Sequence, residues 1–454
     1  AFIAKINSED IVASSHFQIA EQGGTSVETR GTRTDAVFGY ATAEPATQGT
    51  RLNGLAIVDH RQSGDLVTEV GVPTPPFIEI GRMFVDTIGA AQTVISIANP
   101  NDADTTVDFF FTDEAGTTSN FATTTLAAHA HFSRFVTDSP LLVPAGVTGT
   151  LNFTSSLPVV ASGFRGFTNE GGDFLLSNVP IAEPLKVSDQ PVVIPQFAEG
   201  AAWNTQVVLV NTTEDRMNGE VRFLSPGSPE QPGSPVDVGI GDGFTSVVEY
   251  DIPPRSAQHI QTAGSTTKSD FSFAARSGVS FTTPGSDTVQ LNGFAVAEPT
   301  SNTALNGLQI LEYRQNNVTN SEAGVVVPPL RQAGRLFVEV NDKVRSMMAI
   351  ANPADEEAVV EFSYTDTAGT ASAPASVTVP AGGQVFNFVG DAPISVPSGS
   401  TVALNFSSSV PISATALRFL TSENNSLIRL TNKSRVKYAS LARGALQNQA
   451  SRLK

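Results

Sequence analysis

Two histidines separated by one residue, His129 and His131 in AAHAHF, are the side chains whose type and spacing come nearest to chemistry. On a strand, side chains two apart share a face, so the pair could offer two imidazoles to a metal ion. The matching stretch nearer the C-terminal end carries Gly382 and Gln384 at those places, so the fold does not need the histidines. Carboxylates gather in NDAD (101–104) and ADEE (354–357), and oxygen ligands of this kind suit Ca²⁺. Neither stretch has the spacing of a known calcium loop, and a solvated turn is the plainer reading. GxSxG, HExxH and a phosphate-cradling glycine loop are all missing. With five histidines, one tryptophan and no cysteine, no acid–base pair or thiolate site stands out. The sequence therefore predicts no enzyme, no metal and no cofactor.

Arginines recur instead. LAIVDHRQ, VASGFRGF, LQILEYRQ and SATALRFL place Arg61, Arg165, Arg314 and Arg418 at the end of the same kind of alternating apolar run, and the intervals Arg61 to Arg165 and Arg314 to Arg418 are both 104 residues. A side chain that returns in every copy is expected to be scaffold, its stem packed and its guanidinium bonded to loop carbonyls or an acidic neighbour.

The elements that carry these residues are read as strands. In VDFFFTDEAG (107–116), Val107, Phe109 and Phe111 alternate with Asp108, and DEAG supplies a turn. VEFSYTDTAG (360–369) and EVRFLSPG (220–227) repeat the pattern with Val360, Phe362 and Tyr364, and with Val221 and Phe223, facing inward. The strand before it also occurs three times, as TVISIANP, TQVVLVNT and SMMAIANP, each ending at an Asn (Asn99, Asn211, Asn352) suited to a turn because it tolerates φ > 0. Helical periodicity is rare. The class is all-β, and seven to nine short strands per complete unit suit tandem immunoglobulin-like β-sandwich domains.

Front halves number three and back halves four. LNGLAIVDHRQ (52–62) is the surplus back half, and it returns 253 positions later as LNGLQILEYRQ (305–315). Nothing at the N-terminal end corresponds to residues 188–255. The expected map is a partial unit at 1–72, complete sandwiches at 73–187, 188–327 and 328–432, and a basic tail at 433–454. Proline-bearing stretches at the boundaries read as semi-rigid joints, so the units should form an elongated row.

Net charge is −17, yet residues 431–454 hold six basic residues and no acidic one, which leaves −23 on the body. Such a body excludes nucleic acid as a partner, because phosphate binding needs clustered Lys and Arg. No apolar run approaches the ~20 residues of a membrane helix, so membrane insertion is not expected. Asn152, Asn211, Asn317, Asn405, Asn424 and Asn432 open N-x-Ser/Thr sequons, which admit glycan if the host adds it. A chain beginning with Ala is either a fragment or a mature secreted protein whose signal peptide has been removed, and the second is the preferred reading.

A sandwich short of two or three strands exposes an edge and an inner face. Leaving about 500 Å² of apolar surface wet would cost about 12 kcal/mol at ~25 cal/mol/Å², comparable with the ~5 to 15 kcal/mol stability of a whole domain. The partial unit could pack on its own chain, be completed by a neighbouring molecule, or be disordered or preceded by further chain that has been cut away. In the second case the expected interface has Phe17, Ile19, Leu55 and Ile57 on the acceptor side, and Val436 and Tyr438 with Lys433, Arg435, Lys437 and Arg443 on the donor tail. The partners are then other copies of the chain, joined head to tail.

VVIPQFAEGAAWNTQVVLVNTTED, followed by DIPPRS and GFAVAEP…LQILEYRQ, resembles the modules of uncharacterised secreted bacterial tandem-repeat proteins with immunoglobulin-like sandwiches. The resemblance covers one unit well and the others more loosely. It implies an exported, non-catalytic protein and transfers no functional residue. The expected function is a structural subunit of an extracellular bacterial filament or surface assembly, by the logic of donor-strand complementation. The alternative is a monomeric cell-surface adhesin or carbohydrate-binding array, for which one tryptophan and five tyrosines offer few platforms.

Overall fold

The computed structural model describes residues 2–8, 11–29, 39–45, 52–62, 65–184, 190–263, 290–300, 305–421 and 428–432, and of these 2–16, 421 and 428–432 as backbone only. Every regular element among them is a β-strand. The first repeat holds β1 (Phe2–Ser8), β2 (Ile11–Phe17), β3 (Tyr40–Pro45), β4 (Leu55–Gln62) and β5 (Asp65–Pro73). The second holds β6 (Phe77–Asp86), β7 (Ala91–Ala98), β8 (Thr105–Asp113), β9 (Thr118–Leu126), β10 (His131–Phe135), β11 (Thr148–Thr168), β12 (Phe174–Val179) and β13 (Ile181–Ala182). The third holds β14 (Val192–Glu199), β15 (Trp203–Val210), β16 (Met217–Leu224), β17 (Val238–Ile240), β18 (Gly243–Thr245), β19 (Val247–Ile252), β20 (Ala257–Gln261), β21 (Leu291–Pro299), β22 (Asn306–Gln315) and β23 (Val318–Val326). The fourth holds β24 (Arg331–Val340), β25 (Val344–Asn352), β26 (Ala358–Thr365), β27 (Ala375–Val379), β28 (Gly383–Phe388), β29 (Ser400–Thr421) and β30 (Ile428–Asn432).

The fold is all-β, built from several antiparallel sheets in an arrangement consistent with multiple β-sandwiches. In the third repeat the sheets β14-β21-β16-β19 and β20-β15-β22-β23 enclose Ile194, Phe197, Val207, Leu209, Val221 and Phe223. In the second and fourth repeats one long strand serves both sheets. The first half of β11 pairs with β6 and β8 and its second half with β7 and β12; β29 does the same with β24 and β26, then β25 and β30. The change of sheet falls near Pro158 and Pro411, where a strand lacks a ladder donor. Val107, Phe109 and Phe111 point inward and are buried, as are Val360 and Phe362, while Asp108 and Glu361 are exposed.

Each complete sandwich is braced twice by side chains. Asn99, Asn211 and Asn352 are fully buried, and each amide donates to three carbonyls: Ala103, Leu126 and Ala127; Asp215, Ile252 and Pro253; Glu356, Val379 and Pro380. Each Oδ1 accepts the N–H two residues on. None of the three has positive φ, so the residue is needed for its amide and not for its tolerance of a left-handed backbone. Hydroxyls of Thr93, Thr205 and Ser346 pin the sandwich's first two strands together, each bonding both backbone groups of the residue seven before it, Asp86, Ala198 and Glu339.

The expected elongated row is corrected by the contacts between repeats. β12 and β30 each lie against both β5 and β23, so strands of all four repeats meet and the first repeat touches the fourth. Proline joints do not hold the repeats apart. Val208, Leu308 and Ile310 of the third repeat share an apolar cluster with Met83, Phe84 and Leu151 of the second. Trp203, Leu311 and Tyr313 share another with Met347, Ala349 and Leu417 of the fourth.

Asn352→Ala should lower unfolding stability by about 2 to 3 kcal/mol, because buried carbonyls lose their donor. Asn352→Asp should be at least as damaging, since a carboxylate faces those carbonyls without a proton to give. Denaturant titration checks both; two near-neutral results would contradict the bracing role.

Candidate subunit interface

Two junctions between repeats are built on the same charges. At the first, Arg165 of β11 donates to Asp86 at 2.9 Å and to Glu322 of β23, which also accepts from Ser177 at 2.6 Å. At the second, Arg418 of β29 donates to Glu339 at 3.3 Å and to Glu69 of β5. These are the same residues 253 positions apart, with the ring of repeats carried round from fourth to first. Burial works against the charge on Arg165, but Glu322 and Asp86 outweigh it and raise its pKa above the ordinary arginine value. The recurring arginines thus find acidic neighbours, and for Arg165 and Arg418 one neighbour belongs to another repeat. Arg314 pairs with Glu170 across repeats at 2.7 Å, and Arg61 with Asp59 at 3.3 Å on the surface.

The junctions differ in what covers them. β22 pairs with β23 on one side and β15 on the other, and all eight residues of β15 are buried. Glu312 on β22 accepts from Asn204 at 3.1 Å and from Gln206, and Trp203 lies 5.1 Å from the Tyr313 ring. β4 is the counterpart of β22 in the first repeat. Among the described residues it pairs with β5 alone, with Ile57 37% and Val58 46% exposed, and Asp59, the match of Glu312, lies open as well. β3 likewise pairs only with β1 among the described residues, whereas its counterpart β21 pairs with β14 and β16. The register of β1 on β3 reproduces that of β16 on β21, so β1 takes the place of a strand within 188–255, and the expectation that nothing at the N-terminal end corresponds to that stretch is corrected. The places of β14, β15, β17, β18 and β20 have no described counterpart, and of these β14 and β15 are the strands that pair with β21 and β22.

The adjoining face of the fourth repeat shows the same difference. Arg82 is buried and donates to Asn152 and, at 2.7 Å, to the Asn211 carbonyl that follows β15. Its counterpart Arg335 keeps the Asn405 contact but is exposed. Phe84 is buried, with its ring 6.2 Å from that of His259 on β20, while Phe337 is half-buried. Packing on its own chain covers part of the first repeat: a Cβ added at Gly23 would lie 3.0 Å from the Asp366 carbonyl, and one at Gly369 would lie 2.8 Å from Ala20.

Of the expected interface residues, Phe17 and Ile19 are half-buried where β2 ends, Leu55 is half-buried on β4 and Ile57 is exposed beside it. Lys433, Arg435, Val436, Lys437, Tyr438 and Arg443 lie outside the described residues. His129 and His131 do not share a strand face. His129 sits in a turn with positive φ, 3.1 Å from Asp102, and His131 on β10 bonds Ser96 at 2.8 Å. Among the described residues no group of three His, Asp or Glu could hold a metal ion. Of the sequons, Asn152 and Asn211 are buried and Asn317 is exposed. The carboxylates Glu69 and Glu322 were not singled out by type or motif; their only sequence signal is that both sit at the 253-residue offset.

No protein-family model matches the chain, and no curated protein matches it. A solved structure that aligns with it is the serine-rich repeat protein Srr2 from Streptococcus agalactiae, at 10% identity over 62% of this chain and 88% of that one. The TM-score of 0.13 is too low to establish a shared fold.

Burial pushes the Glu312 carboxyl up to about 7, helped by the charge of Glu322 and opposed by Arg165, Arg314 and the Gln206 hydrogen bond. An acid with a raised folded pKa binds its proton more tightly folded than unfolded, so its contribution to stability is lost as pH rises from the ordinary carboxyl range through about 7. Glu312→Gln should therefore raise the melting temperature relative to the parent more at pH 8.5 than at pH 5. An equal shift at both would contradict a buried, titrating Glu312.

Proposed function

We propose that the protein is a structural, non-catalytic subunit of an extracellular bacterial filament or surface assembly, joined head to tail where a neighbouring molecule completes the first repeat. The observation that carries this reading is β4: one edge has no described strand beside it and two large apolar side chains are exposed, while the same strand in the third repeat is covered by β15. An unpaired edge flanked by apolar side chains recruits a strand through backbone hydrogen bonds and alternating pockets. An acceptor at one place and a donor at another make a heterologous contact, which runs on as a filament unless its angle closes a ring. We read each complete repeat as an immunoglobulin-like sandwich from its two facing antiparallel sheets. Export follows from the resemblance to secreted bacterial modules.

Negative-stain microscopy at rising protein concentration tests this. The parent should form filaments, and Ile57→Lys, which adds a charge at an exposed position and leaves the fold's circular dichroism unchanged, should remain as single particles. Single particles of the parent at every concentration, or filaments indifferent to Ile57→Lys, would overturn the reading.

A further inference from the structure

We infer that the first repeat receives one continuous strand–turn–strand segment that adds to both of its sheets, and that residues 433–454 of a second copy supply it; this rests on the head-to-tail reading above. The pattern is drawn within the chain itself. In the third repeat a single stretch, residues 192–210, forms β14, turns at Gly200 with φ 78°, and forms β15. β14 pairs with β21 in one sheet and β15 with β22 in the other. Their counterparts β3 and β4 are the two strands that have no described partner on the matching side. One piece of backbone therefore suits both edges, and the exposed Arg335 and half-buried Phe337 mark where it would lie over the fourth repeat.

The tail fits this place by length, spacing and charge. RVKYASLA (435–442) is eight residues with Val436 and Tyr438 alternating with Lys437, Arg443-Gly444 follows, and ALQNQASR (445–452) is eight more. β14 and β15 are also eight residues each, and their break, residues 200–202, is one residue longer and begins at Gly200. Asn448 falls where Gln206 stands, and Gln206 is a donor to Glu312, the match of Asp59. The six basic residues of 431–454 meet an acceptor rim on which Glu44, Asp59 and Asp65 are exposed.

A second copy is favoured over the same chain by the path length. At the equivalent place, from β12 to β14, the chain uses residues 180–191. Only residues 433 and 434 separate β30 from 435, and two residues reach about 7 Å at ~3.5 Å each.

The absence of cysteine makes the test direct. The β14 register places position 436 opposite Thr42, since Val193 faces Val296. Full-length Thr42→Cys and Val436→Cys proteins, distinguishable by a mass tag, are mixed and oxidised. The expected result is a disulfide heterodimer well above either homodimer, abolished by excess synthetic peptide of residues 190–212, and a ladder of multimers from the double variant. A double variant that closes on itself as a monomer would overturn the second-copy donor. No heterodimer from a parent that nonetheless forms filaments would overturn this inference and leave head-to-tail assembly standing; no heterodimer and no filaments would end both.

Discussion

A strand edge carries a row of N–H and C=O groups that must be bonded to water, to another strand or to a covering element. In the third repeat that requirement is met by strands of the repeat itself. β15 closes β22, and the Asn211 carbonyl after it takes a hydrogen bond from Arg82 of the preceding repeat. The repeats are therefore not independent beads. Their cores run into one another, and buried charges at the junctions gain a further partner from the adjacent repeat.

Pseudo-symmetry makes the exception informative. The Arg165–Glu322 junction and the Arg418–Glu69 junction use equivalent residues, so the fourth repeat stands to the first as the second stands to the third. Around these shared contacts, buried groups in one junction have exposed counterparts in the other: Arg82 against Arg335, Glu312 against Asp59. Among the described residues no strand stands beside β4 as β15 stands beside β22. A buried carboxylate such as Glu312 is costly without its donors, and the amides that serve it come from β15.

Much of the local structure was legible in the sequence. The alternation of Val107, Phe109 and Phe111 gave a strand with the right face inward, and the repeated Asn and Arg positions marked real structural roles. The role of Asn99, Asn211 and Asn352 was misread because a turn preference is local, while two of the three carbonyls each one holds arrive from 27 to 42 residues further on. His129 and His131 were placed on one face because a two-residue spacing says nothing about a turn between them. Contact between the first and fourth repeats could not be read from proline joints, since a stiff link fixes neither the angle between its ends nor what packs beside it. It depends on Glu69 meeting Arg418, which is 349 residues away.

The central claim is that β4 is an edge waiting for a strand that β22 already has. Hydrogen–deuterium exchange of residues 55–62 and 306–315, followed in dilute and concentrated protein, tests it most directly. Amides of 306–315 should be protected throughout, while those amides of 55–62 that point away from β5 should exchange quickly when dilute and slow down as molecules associate. Protection of these open-edge amides at high dilution, or fast exchange there at every concentration, would contradict the account.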